Sequence, residues 1–120
     1  MAFDWKEFLK LARFLSGESD VRYSREGAYR SAVSRAYFAA FCYARNYARD
    51  NQEFVPTGKW EDHGRLRRHF QDIGRIDIAF CLDDLRQWRN ACDYHDEVQN
   101  LRQIAVDAIK NAEDIISNLW

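Results

Sequence analysis

Apolar residues recur along this chain at intervals of three and four, a spacing that gathers them on one side of a helix rather than alternating them across a strand. Trp5, Phe8, Leu9, Ala12 and Leu15 predict a first helix over about residues 4 to 16, closed by Gly17. Tyr29, Val33, Ala36, Ala40, Tyr43 and Tyr47 predict a long second helix over about residues 25 to 50, with Ser24 as its N-cap. Ala32, Ala36, Ala39 and Ala40 on that helix allow another helix to approach closely. Residues 51 to 61 carry Pro56, the single proline, and Gly58, and read as one sizeable loop. A short basic helix over about 62 to 73 follows. Next comes a helix over about 77 to 93, with Cys81, Leu85, Trp88 and Cys92 on its core face. A last helix over about 97 to 119 carries Val98, Leu101, Ala105, Ala108, Ala112, Ile115 and Leu119 in a heptad-like run. Short connections between long helices predict an all-α fold, an antiparallel up-and-down bundle of about five helices. Its 120 residues suit a single domain over residues 1–120.

Composition narrows the picture. Apolar residues make up 47% of the chain and aromatics 15%, enough for a packed core and too much for a disordered segment. The 18 basic and 19 acidic residues leave a net charge of −1, so any nucleic-acid surface has to be a local patch. Cys42, Cys81 and Cys92 are odd in number and sit inside apolar helical patterns, as packed, reduced thiols of a cytoplasmic protein do. No segment resembles an export signal or reaches the length of a membrane span, so neither export nor membrane insertion is expected.

The densest chemistry lies in Arg89-Asn90-Ala91-Cys92-Asp93-Tyr94-His95, at the junction of the last two helices. Arg89 follows the core-facing Trp88 and should point off the core stripe. A guanidinium offers forked donors to a phosphate, and an imidazole moves protons near neutral pH. Arg89 and His95 are therefore candidate catalytic residues for RNA cleavage without a metal or other cofactor, with Asn90 gathered beside them at the junction. A salt bridge and a junction histidine at a helix C-terminus are the plainer reading of the same residues.

Two longer patterns bear on that choice. The run Arg30-Ser31-Ala32-Val33-Ser34-Arg35-Ala36-Tyr37-Phe38-Ala39-Ala40-Phe41 resembles the second-helix signature of HEPN domains, S-R-A-Y-Y-A-x-F. Arg89-Asn90, four further residues and His95 are similar to that superfamily's R-(polar)-x(3–5)-H motif, and Asp62-His63-Gly64 resembles the segment opening its third helix in one branch. The resemblance covers about residues 30 to 96. It implies a helical bundle that acts as a homodimer, with two motifs meeting in a shared cleft to cleave an RNA substrate. It also implies a setting in defence or toxin–antitoxin systems, with a nucleotidyltransferase-fold antitoxin or another defence subunit as partner. Two departures stand out. Glu97 occupies the position where antitoxin-paired members carry tyrosine, and Ala91-Cys92-Asp93-Tyr94 is similar to the ending of members whose motif has decayed. A non-catalytic module binding RNA, a nucleotide or a protein is the competing implication.

Lys59, Trp60, His63, Arg65, Arg67, Arg68 and His69 form the concentrated basic and aromatic segment. Arginines that bind phosphates beside an aromatic that stacks on an unpaired base would make it an RNA-facing patch. A solvated helix face is the alternative. Cys92 with His95, His63 and His69 lacks paired C-x-x-C spacing, and no metal site is expected. Arg25, Arg30 and Arg35, five apart, fall too far round the helix to share a face, and only Arg35 is expected to find an acidic neighbour.

Overall fold

The computed structural model describes residues 2–18 and 20–119, and over these the fold is an all-α bundle with no strand. Its helices are α1 (Lys6–Leu15), α2 (Arg25–Asn51), α3 (Asp62–Asp72), α4 (Ile76–Tyr94) and α5 (Leu101–Asn118). None is long and apolar enough to cross a membrane among the described residues.

The central element, α2, packs against α1, α4 and α5, while α3 packs against α4. It starts where its sequence predicts. Ser24 is extended and its hydroxyl accepts the Gly27 N–H at 2.9 Å, while Glu7 of α1 accepts the Ser24 N–H at 3.1 Å. Val33, Tyr37, Ala40, Phe41, Ala44 and Ala48 then face inward, and the alanines let α4 and α5 lie close. Leu66, Phe70, Leu82, Leu85 and Ile115 fill the space between the helices. Each such side chain contributes about 1.5–3 kcal/mol by leaving water.

Contacts at the helix ends give the directions. Arg30, near the start of α2, reaches Cys92 and His95 at the end of α4, so those helices run oppositely. Tyr43 of α2 donates to the Leu119 carbonyl beyond the end of α5, so α2 and α5 run the same way. The 52–61 loop carries the chain back along α2. In consequence α3 begins with His63 stacked on Phe41 and ends with His69 bonded to Gln52.

Three expectations are corrected. On α1, Leu9, Ala12 and Leu15 are exposed, and the buried residues are Leu11 and the preceding Phe3. Spacing identifies a stripe, but α2 is the one helix α1 packs on, and it covers a different face. The last helix begins at Leu101, leaving Val98 in a non-helical segment that ends at Asn100 in the left-handed region (φ 56°). And Arg30, not Arg35, is the arginine with the acidic neighbour: its guanidinium is fully buried and lies 3.5 Å from Glu26.

Candidate functional site

The C-terminal turn of α4 holds the first group of candidates. The Arg89 guanidinium lies over the Phe38 ring of α2 at 5.1 Å and the Tyr94 ring at 5.7 Å. Its Nη1 donates to Asn90 Oδ1 at 3.0 Å. Its Nε sits 2.9 Å from Asp93 Oδ2, a close ion pair that lacks the alignment of a hydrogen bond. Ser34 of α2 donates its hydroxyl to that same carboxylate oxygen at 3.3 Å, tying Asp93 to the neighbouring helix. Two rings and a carboxylate thus hold a half-buried cation in one place. His95 ends the helix: its N–H closes on the Ala91 carbonyl at 2.9 Å, and its side chain is exposed. Among the described residues no hydrogen bond or ion pair joins the side chains of Arg89 and His95.

Arg30 fixes the backbone of this turn, and sequence reading passed over it. Nη1 donates to the carbonyls of Cys92 (2.9 Å) and His95 (2.7 Å), and Nη2 to that of Asp96 (3.1 Å). These are orphan acceptors of a helix end and the turn beyond it, where the helix dipole also favours a cation. The N-terminal segment closes over the arginine: Phe3 lies 4.3 Å from it, the Phe3 N–H donates to the Asp96 carbonyl, and the Trp5 indole donates to the Asp96 carboxylate. One signal was available, since Arg30 stands in step with the buried Val33, Tyr37 and Phe41.

The second group also meets Phe38. His63 stacks on Phe41 at 4.1 Å and 11°, presents its ring to the Phe38 ring at 6.3 Å, and shares a hydrogen bond between its Nδ1 and the Tyr37 hydroxyl. Burial, then the charges of Arg89 and Arg67, lower the His63 pKa, and burial pushes Tyr37 up to about 12. Both shifts favour the neutral forms of the pair, which share one proton-bearing contact between a hydroxyl and an imidazole nitrogen. Phe38 is the junction of both groups, and sequence reading singled it out only as a signature residue.

The expected basic patch divides in the structure. Arg65 is committed to the loop, donating to Asp62 Oδ1 at 2.8 Å and to the Val55 carbonyl at 3.0 Å. Arg67 donates to the His63 carbonyl and lies 3.5 Å from Asp83. Lys59, Trp60 and Arg68 remain exposed, and the two cations have no ion pair among the described residues. Asp62 is buried, and its carboxylate takes the N–H groups of Thr57 and Gly58, the Thr57 hydroxyl and Arg65. Burial alone would raise its pKa, but these donors outweigh it and hold the carboxyl well below the usual range.

The residues weighed for zinc do not converge. Cys92 faces the core, where burial raises its thiol to about 11, while His95 is exposed, His63 bonds Tyr37 and His69 bonds Gln52. No group of three or more metal-binding side chains occurs among the described residues.

Comparison with known proteins gives one distant similarity. The chain is 28% identical to an uncharacterized protein of Methanocaldococcus jannaschii, over an alignment that covers 98% of this chain and 76% of that protein. No protein-family profile matches the chain. No solved structure matches it either.

Proposed function

We propose that this chain is a HEPN-type, metal-independent endoribonuclease that acts as a homodimer, with Arg89, Asn90 and His95 of both copies in one cleft. The observation that carries the reading is Arg89 itself, clamped between Phe38 and Tyr94 and oriented with Asn90, in the turn that ends at the exposed His95. A prepositioned guanidinium offsets charge developing on a phosphate without reorganising at the moment of reaction. In the reaction a ribose 2′-hydroxyl attacks the adjacent phosphorus and the 5′-oxygen leaves. His95 moves a proton, and a 2′,3′-cyclic phosphate remains. The setting is the cytoplasm, where the free thiols of Cys42, Cys81 and Cys92 stay reduced. The resemblance extends the reading to a defence or toxin role with a partner subunit, and Glu97 argues against control by tyrosine modification of the kind known for antitoxin-paired members.

One observation favours a second reading, a module that binds RNA without cutting it. Asp93 already neutralises Arg89, so a substrate phosphate has to compete with a carboxylate 2.9 Å away.

Cleavage of single-stranded RNA in EDTA separates the two. The nuclease leaves cyclic phosphate ends, and His95→Ala lowers the rate about a hundredfold or more at unchanged melting temperature. Arg89→Ala is comparably damaging, Arg89→Lys recovers part because lysine lacks the fork, and Asn90→Ala does less. Equal trace activity in wild type and His95→Ala would assign the chain to the binding reading.

A further inference from the structure

We infer that the groove between α2 and the 52–61 loop is a subsite for one unpaired RNA base, stacked against Trp60, with its phosphate on Arg45 and Lys59. The inference rests on RNA being the ligand, as above, but not on its being cut.

Trp60 is 85% exposed, the most exposed of the large apolar side chains described. Its loop is nonetheless built rather than loose. Asp62 gathers Thr57 and Gly58 with four hydrogen bonds, Arg65 ties Asp62 to the Val55 carbonyl, and Gly58 turns the chain at φ +78°. A scaffold of this kind holds an indole in water, ready for a flat partner.

The cavity beside it measures about 290 Å³, near the lower end of ligand sites and suited to a single base. Phe38, Phe41 and His63 give it an aromatic wall, and Arg45 and Lys59 stand at its sides. Asp62 is the one acid lining it, and that carboxylate is already occupied by its donors. The free charge in the groove is therefore positive, which fits a nucleotide phosphate and opposes a basic segment. A base has a flat face whatever its sequence, so stacking on Trp60 asks only that it be unpaired. The Phe38 ring that lines the groove also carries Arg89 on it, so a base held here belongs to a nucleotide close to the phosphate at Arg89.

The test uses fluorescein-labelled 2′-O-methyl hexanucleotides, which bind but cannot be cut through the 2′-hydroxyl, followed by anisotropy with the full chain. Wild type binds the single strand. Trp60→Ala weakens binding about tenfold, Trp60→Phe restores most of it, and neither shifts the melting temperature. A blunt duplex of the same sequence competes poorly, and Lys59→Gln lowers the salt dependence. Binding that is equal in wild type and Trp60→Ala overturns the subsite and leaves the nuclease reading standing if unmodified RNA is still cut. Binding that depends on Trp60 without any cleavage keeps the subsite and removes the nuclease. A duplex that competes as well as the single strand, or no binding at all, overturns the subsite.

Discussion

Arg30 is a fully buried charge, and its three hydrogen bonds hold the end of α4 and the turn beyond it. Removing it takes the donor from the carbonyls of Cys92 and His95, leaves that of Asp96 with the Phe3 N–H alone, and opens space under Phe3. Arg30→Met is expected to lower stability by about 3 kcal/mol or more, with Arg30→Lys intermediate because an ammonium cannot fork across three acceptors. Urea denaturation measures both, and a loss below about 1 kcal/mol would mean that water satisfies the carbonyls in its place. His63 sets a pH dependence. Its folded pKa lies below the ordinary value, so the unfolded chain takes up the proton first as pH falls. The stability it contributes is full above about pH 6.5 and declines as pH drops through the lowered folded value. His69, lowered by burial, adds in the same direction. Thermal melts between pH 7 and pH 5 should therefore fall in wild type and fall less steeply in His63→Gln. Equal slopes would relieve His63 of that role. None of these residue roles follows from local spacing, because Arg30 and His63 meet their partners across 62 and 26 residues of chain.

Among the elements, α3 is the one whose placement makes the site, and its two ends are fixed by different devices. At the start, the buried Asp62 carboxylate anchors the preceding loop. At the end, Gly74 adopts φ +84°, its N–H bonds the Gln71 carbonyl, and the Arg75 N–H bonds the Phe70 carbonyl at 2.7 Å. This is the pattern of a helix closed by a left-handed residue. A Cβ at position 74 would meet nothing within 4 Å, so Gly74→Ala carries a cost in backbone strain alone. The expected loss is about 1 kcal/mol, seen as a melting temperature a few degrees lower, with Gly74→Asn milder. No measurable shift would show that the α3–α4 turn has another low-energy path. The existence of this helix and the glycine at its end are legible in sequence. Its direction along α2 is not.

For the whole molecule, the open question is what meets the apolar side chains left at the surface. Leu9, Phe14 and Leu15 on α1, Ile76 and Phe80 on α4, and Val106 and Ile109 on α5 are all exposed. If the composite site is right, sedimentation at micromolar concentration gives a species of twice the 14.3 kDa chain mass. Of Leu15→Glu, Phe80→Glu and Ile109→Glu, the variant that yields monomer marks the interface, and cleavage should fall with it. A wild-type monomer would remove the shared cleft, while binding of RNA by single chains could persist.

Sequence by itself determined the features that close within a few residues: five helices, the Ser24 cap and the loop around Pro56 and Gly58, while the second helix turns Tyr37, Phe41, Ala44 and Ala48 inward and leaves Tyr43 of the expected stripe exposed. It also singled out Arg89, Asn90, Trp60 and His63 by their chemistry. Tertiary structure decided which of these are free to act. It tied Arg65 to the Val55 carbonyl and Asp93 to Ser34 of α2, left Trp60 and His95 open, and made Phe38 the ring on which both candidate groups meet. The reason is physical. Helix periodicity and caps are local interactions that the adjacent residues specify. A guanidinium or imidazole carries the same chemistry in any sequence, and for Arg30 and His63 the partner is what the packing of distant helices brings close.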